Sequence, residues 1–212
     1  RNLNLHGQVI IVIVVFISLF MALKLVRPEL FKESSSINMI LVMMLIMIIP
    51  SFLIIKYHPT MIYLMPLSIL AMLMVTFFDV RVAIYVQVLT LIIISMVVPN
   101  SFRFFIVQFF VSLVAIFVLG RNTSRTRYFV TYAAIFVSYV ILQIGVSLVF
   151  DGGLDNFGWN DIGVFAMNTL FVMLTLPLSF LFERLFGFVT DMSLLELSNT
   201  NSPLLRKLSS EA

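Results

Sequence analysis

Residues 40–49 read Ile-Leu-Val-Met-Met-Leu-Ile-Met-Ile-Ile, apolar at every position. A membrane-spanning β-strand alternates apolar and polar residues, so an unbroken run of this kind excludes a barrel and points to helix. Similar runs recur along all 212 residues, of which 61% are hydrophobic and 11% charged, with a mean hydropathy of +1.13. Soluble domains carry about 25% charged residues. A chain this poor in charge could not cover itself with polar surface in water, and the predicted fold class is an all-α membrane protein.

A span needs about 20 predominantly apolar residues, each contributing about 1.5 Å of rise. Polar breaks predict seven spans, at residues 7–26, 37–55, 61–78, 80–98, 102–119, 128–150 and 161–186. Together they make a seven-helix transmembrane bundle over residues 1–186, with residues 187–212 as a short cytoplasmic helical linker. Only Asp79-Val80-Arg81 separates the third and fourth spans, which predicts a tight hairpin whose polar residues cap helix ends. Pro177 lies inside the seventh span and removes the hydrogen bond to the Met173 carbonyl. A kink follows, serving either as static packing or as a hinge.

The loops after spans one, three, five and seven hold ten Lys and Arg residues, and the opposite side holds three. The positive-inside rule then places the C-terminus in the cytoplasm and the N-terminus outside. The external loop around residues 151–161 is acidic and contains the single Trp, Trp159, where an interfacial aromatic is expected. The formal charge of +3 is topological information and does not suggest nucleic-acid binding.

Ionisable residues at mid-depth are costly and mark transport or proton pathways. The predicted spans hold none there. Gly-rich discontinuous helices, a mark of many transporters, are likewise not evident. The chain has no cysteine and two separated histidines, no Gly-rich phosphate loop and no paired carboxylates at catalytic spacing. No catalytic or metal-ligating residue is expected in this segment.

Amides remain. Gln108, Gln143 and Asn168 fall six or seven residues from the outer ends of spans five, six and seven. At about 1.5 Å per residue they share a depth of about 9–11 Å below the outer surface. Two readings are open: hydrogen bonding between helices, or a polar pocket reached from outside. At the cytoplasmic end, Glu183 and Arg184 close span seven beside a basic collar of Arg81, Arg121, Arg125 and Arg127. That arrangement suits either a salt-bridge network or ordinary solvated side chains.

Beyond span seven, Gly187 breaks the helix and Ser193-x-x-Glu196 forms a capping box for a short linker helix. Ser202-Pro203 opens another. The sequence Glu183-Arg184-Leu185-Phe186-Gly187-Phe188-Val189-Thr190-Asp191, followed by Leu194-Leu195-Glu196-Leu197-Ser198-Asn199 and Ser202-Pro203-Leu204-Leu205-Arg206, resembles the junction of the bacterial seven-transmembrane HD phosphohydrolases. Arg27-Pro28-Glu29-Leu30-Phe31 and Phe78-Asp79-Val80-Arg81 extend the resemblance, although the family often has Pro at the position of Val80 and His at that of Ser202.

The resemblance implies an extracytoplasmic domain, seven spans and a cytoplasmic HD domain that hydrolyses cyclic di-AMP with a divalent metal pair. The metal-binding residues of that HD domain would follow Ala212, and none can be placed on this chain. The chain would then be the sensory or transducing domain of a multi-pass protein of the bacterial cytoplasmic membrane, cut from a longer sequence. Its partners would be the bilayer and its own flanking domains, with a homodimer left open and no nucleic acid expected. The alternatives are a small transporter or channel, and a passive anchor.

Overall fold

Within a bilayer every backbone polar group must be satisfied inside the chain, which is why apolar runs of this length become helices. The computed structural model describes residues 2–32, 34–120, 124–154, 157–188 and 194, and among them no strand occurs. In chain order the helices are α1 (Asn2–Val26), α2 (Ser34–Tyr57), α3 (Ser68–Phe77), α4 (Val80–Ser95), α5 (Ser101–Leu119), α6 (Arg125–Phe150), α7 (Trp159–Val172) and α8 (Thr175–Phe186). Short 3-10 helices at Pro28–Phe31 and Pro59–Leu64 precede α2 and α3.

Among the described residues, six segments are long and apolar enough to cross a membrane: His6–Val26, Ser34–Tyr57, Pro59–Phe77, Ser101–Leu119, Arg125–Phe150 and Trp159–Phe186. The protein is therefore a multi-pass membrane protein. Helix α4 is apolar but shorter. It ends at Ser95, short of the expected 98, because the chain turns ahead of Pro99 and Asn100. Asn100 takes the left-handed conformation, with φ 56°, at the start of α5.

Helix α3 is the centre of the bundle. Every residue from Ser68 to Val75 is buried, and α3 packs on α2, α4, α5 and α8. Helix α5 lies between α4 and α6, while α7 lies against α6. Helix α1 is peripheral, resting on α4 through buried Val15, Leu19 and Leu23. Its remaining face, including Ile10, Ile13 and Met21, is exposed as a lipid-facing surface would be.

One expected span is broken and another is locally tightened. The third enters as the Pro59–Leu64 3-10 helix, extends at Met65 with ψ 118°, and resumes as α3. Pro66 causes the break: it has no N–H, and it pushes the residue before it out of helical conformation. The seventh span stays helical through Met173 (φ −60°, ψ −20°) and Leu174 (φ −63°, ψ −10°), where its hydrogen bonds tighten to the i−3 pattern between α7 and α8. Pro177 falls in the first turn of α8, so the tightening sits about one turn ahead of the proline, at the carbonyl it leaves without an N–H. The Thr175 hydroxyl donates to the Val172 carbonyl at 2.6 Å, satisfying one acceptor at the tightened turn. The break at Met65 corrects the expectation of a continuous third span, while the tightening at Met173 falls at the carbonyl that Pro177 is expected to orphan. Both use proline rather than glycine.

The linker expected over 187–212 lies outside the described residues except for Gly187, Phe188 and Leu194. Gly187 ends α8 in the left-handed conformation, φ 73°, as the C-terminal residue of a helix commonly does.

Candidate functional site

The break in the third span creates a demand for hydrogen-bond donors. The Leu67 N–H turns to the Met65 carbonyl at 2.9 Å, so the Tyr63 carbonyl loses its helical partner. Asn168 on α7 answers this. Its Nδ2 donates to the Tyr63 carbonyl at 2.8 Å and to the Met65 carbonyl at 2.9 Å. Its Oδ1 is buried without a hydrogen-bond partner.

Tyr139 on α6 lies beside this clasp. Its hydroxyl donates to Gln108 Oε1 on α5 at 2.8 Å and also lies close enough to interact with Asn168. Its ring stacks on Phe165 of α7, with centroids 5.1 Å apart and planes 8° from parallel. Phe165 in turn meets Tyr63 edge-on at 6.2 Å. One polar-aromatic cluster thus joins α5, α6, α7 and the broken third span.

Gln143 follows Tyr139 by four residues and so lies on the same face of α6. It is 9% exposed and its Oε1 is buried without a partner. It lines a cavity of about 390 Å³ at the end of the bundle that carries Pro59, Pro99 and Asn160. Arg103, Asp161, Tyr63 and Phe165 also line it. Arg103 donates from Nη1 to Asp151 Oδ2 at 3.0 Å and from Nη2 to the Ser147 hydroxyl at 3.0 Å. Asp161 Oδ2 accepts from the Gly158 N–H at 2.9 Å.

The three amides read from sequence are therefore all buried, at 0%, 9% and 0% exposure for Gln108, Gln143 and Asn168. Gln108 and Asn168 meet around Tyr139, and Gln143 lies on the cavity wall. A fourth amide, Gln87, serves a separate contact, donating to the Ser112 hydroxyl at 2.8 Å.

The opposite end holds a second cavity of about 520 Å³, lined by Arg27, Glu29, Thr76, Asp79 and Gly120 among others. Asp79 caps α4, accepting from the Val82 N–H at 2.9 Å, and lies 3.7 Å from Arg27 Nη1. The Thr76 and Tyr128 hydroxyls are 2.6 Å apart. Glu183 on α8 is near enough to act electrostatically on Tyr128. Arg127 Nη1 donates to the Val118 carbonyl at 3.2 Å. Arg81, Arg125 and Arg184 are exposed. Arg121 lies outside the described residues.

The exit of the chain is held at this same end. Phe188 meets Phe77 and Phe78 edge-on, at 6.4 Å and 6.2 Å. The Ser35 hydroxyl donates to the Phe186 carbonyl at 3.3 Å. Sequence reasoning missed these contacts, the Arg103–Asp151 pair and the tyrosines. Among the described residues no group of three His, Asp or Glu side chains comes together to hold a metal.

Residues 2–190 match the family model described as a 7TM receptor with intracellular HD hydrolase. The match covers most of the chain, and the chain belongs to that family. No curated protein and no solved structure matches it.

Proposed function

From this family membership we propose that the chain is the transmembrane transducing domain of a bacterial cyclic di-AMP phosphodiesterase. It would couple an extracytoplasmic input to a cytoplasmic HD domain, which would carry the divalent metal pair and the whole of the hydrolysis. Helix α4 would complete seven crossings. The ten-to-three division of Lys and Arg favours an external N-terminus and a cytoplasmic C-terminus in the bacterial inner membrane.

The observation that carries the reading is the anchored exit. A passive anchor needs only a tether. Here Phe186 and Phe188 contact α2 and the α3–α4 corner, and that corner is paired through Asp79 to Arg27 beyond α1. A tilt of α8 about the tightened turn at Met173 and Leu174 would move this junction with it.

The test uses the full-length protein, purified in detergent, with Pro177→Ala and Glu183→Gln variants. Either change should alter cyclic di-AMP hydrolysis about fivefold or more while leaving membrane insertion intact, since coupling between sites is typically about 1–3 kcal/mol. Equal activities in wild type and both variants, with and without the external domain, would make the bundle an anchor. Reporter fusions after Ala212 that are active only outside the cytoplasm would reverse the orientation.

Transport is the second reading, and the broken third span, whose Pro59, Ile62 and Tyr63 line a cavity, favours it. Discontinuous helices that meet near a binding cavity are a recurring transporter feature. The spans still lack an ionised group at mid-depth to couple an ion gradient. Accumulation of a labelled solute by proteoliposomes would separate this reading from signalling.

A further inference from the structure

We propose that the edge where α1 meets α4 binds an anionic phospholipid, its headgroup held by Lys24 and Arg81. The inference rests on the membrane spans alone. It stands whether or not the chain controls an enzyme, and whichever way the chain is oriented.

Packing brings the two cations to one depth. Helix α1 packs on α4, and where α1 ends and α4 begins Arg27 Nη1 lies 3.7 Å from Asp79 Oδ2. Lys24 precedes Arg27 by three residues, about 4.5 Å along α1. Arg81 follows Asp79 by two, about 3 Å along α4. The helices run in opposite directions here, so both steps lead from the ion pair toward the apolar interior. The two residues therefore lie within about 2 Å of each other in depth. Both are exposed, and both occupy the terminal turns of apolar helices, where a bilayer places its headgroups.

Charge decides the class of lipid. Arg27 is already engaged, lying 3.7 Å from Asp79 and 4.0 Å from Glu29. Asp79 is engaged in turn with Arg27 and with the Val82 N–H. Among the described residues Lys24 and Arg81 take part in no ion pair, so their charges stay uncompensated at this edge. Basic clusters at the ends of spans attract anionic headgroups for this reason. A phosphodiester with no cation of its own supplies the missing charge. A choline headgroup would bring a third cation beside Lys24 and Arg81.

The flanking surface fits a lipid rather than a free anion. Ile17 and Met21 share the face of α1 that carries Lys24, and they are exposed along the path an acyl chain would take. Tyr85 lies one turn from Arg81 and is 43% exposed, which puts an aromatic ring beside the headgroup level.

Native mass spectrometry of the full-length protein in detergent tests the proposal. The probes are dioleoyl phosphatidylglycerol and dioleoyl phosphatidylcholine, which have identical chains. The first phosphatidylglycerol should bind about tenfold or more tightly than phosphatidylcholine, since each basic side chain near an anionic surface contributes about fivefold. Lys24→Gln combined with Arg81→Gln should bring the two lipids within about twofold of each other. Arg184→Gln removes an exposed cation from α8 at the same end of the bundle and should leave the preference unchanged. Free glycerol phosphate in excess should not displace the lipid. Equal affinity for the two lipids in the wild-type protein overturns the proposal, and that comparison does not depend on any variant folding. An undiminished preference in the double variant also overturns it. An equal loss in Arg184→Gln would show a diffuse attraction of the whole basic end, and displacement by glycerol phosphate would show a soluble-anion site; either result overturns it as well.

Discussion

Asn168 donates to the Met65 carbonyl at 2.9 Å, tying α7 to the backbone of the broken third span. With its second bond, to the Tyr63 carbonyl, it replaces the Leu67 N–H, which the turn at Pro66 diverts to Met65. Asn168→Leu should destabilise the bundle by about 1–3 kcal/mol, because it strands the Tyr63 carbonyl, while the Met65 carbonyl keeps the Leu67 N–H. Gln143→Leu, which removes a side chain whose Oε1 is already unpaired, should cost less than about 1 kcal/mol. Thermal unfolding in one detergent ranks them. An Asn168 variant as stable as the Gln143 variant would show that the break needs no side-chain support.

Tyr139 and Gln108 provide an asymmetric pair. Tyr139→Phe leaves both ends of the buried Gln108 amide unpaired, since Nε2 already has no partner. Gln108→Leu leaves a tyrosine hydroxyl that still lies within reach of the Asn168 side chain. Tyr139→Phe should therefore be the costlier change, by about 1 kcal/mol. A double-mutant cycle should return a coupling of about 0.5–1.7 kcal/mol, the range found between membrane helices. Equal costs for the two single variants would argue against Asn168 as the alternative partner.

Asp79 combines two roles that substitution can separate. Asp79→Ala loses both the cap on Val82 and the approach of Arg27, and should destabilise by about 1–2 kcal/mol. Asp79→Asn keeps a capping oxygen and loses only a partly exposed ion pair, which should cost about 0.5 kcal/mol or less. Chemical denaturation of both variants reads the difference. If Asn is as damaging as Ala, the charge rather than the cap holds the α3–α4 corner.

Much of the helical layout was legible because apolar runs and polar breaks carry it. The turn at Pro99 and Asn100, the end at Gly187 and the short Asp79 connection each follow from one local residue. The break at Met65 was missed, although Pro66 marks it, because the flanking residues are apolar and the run looks continuous by composition. Pro177 was recognised together with the Met173 carbonyl it orphans, and the helix tightens at that carbonyl. The amides stood out as polar residues in apolar helices. Tyr63 and Tyr139 did not, because a tyrosine in a span passes as hydrophobic until its hydroxyl has a partner. Arg103 and Asp151 are 48 residues apart, so only the packing of α5 on α6 brings them together.

The Phe188 contacts bear most directly on function. Edge-on aromatic pairs contribute about 0.5–1.5 kcal/mol each, and Phe188 makes two of them at the place where the chain leaves the bundle. Its removal should loosen the exit without opening the interior, since the core around α3 is made by other residues. Phe188→Ala in the full-length protein should therefore leave the bundle's unfolding temperature nearly unchanged and shift cyclic di-AMP hydrolysis by about threefold to tenfold, the ratio that a coupling of about 1 kcal/mol produces. Phe188→Leu, which keeps most of the apolar contact, should lie between the variant and wild type. Hydrolysis and unfolding both identical to wild type in Phe188→Ala would show that the exit is a tether, with no mechanical link between α8 and the enzyme it holds.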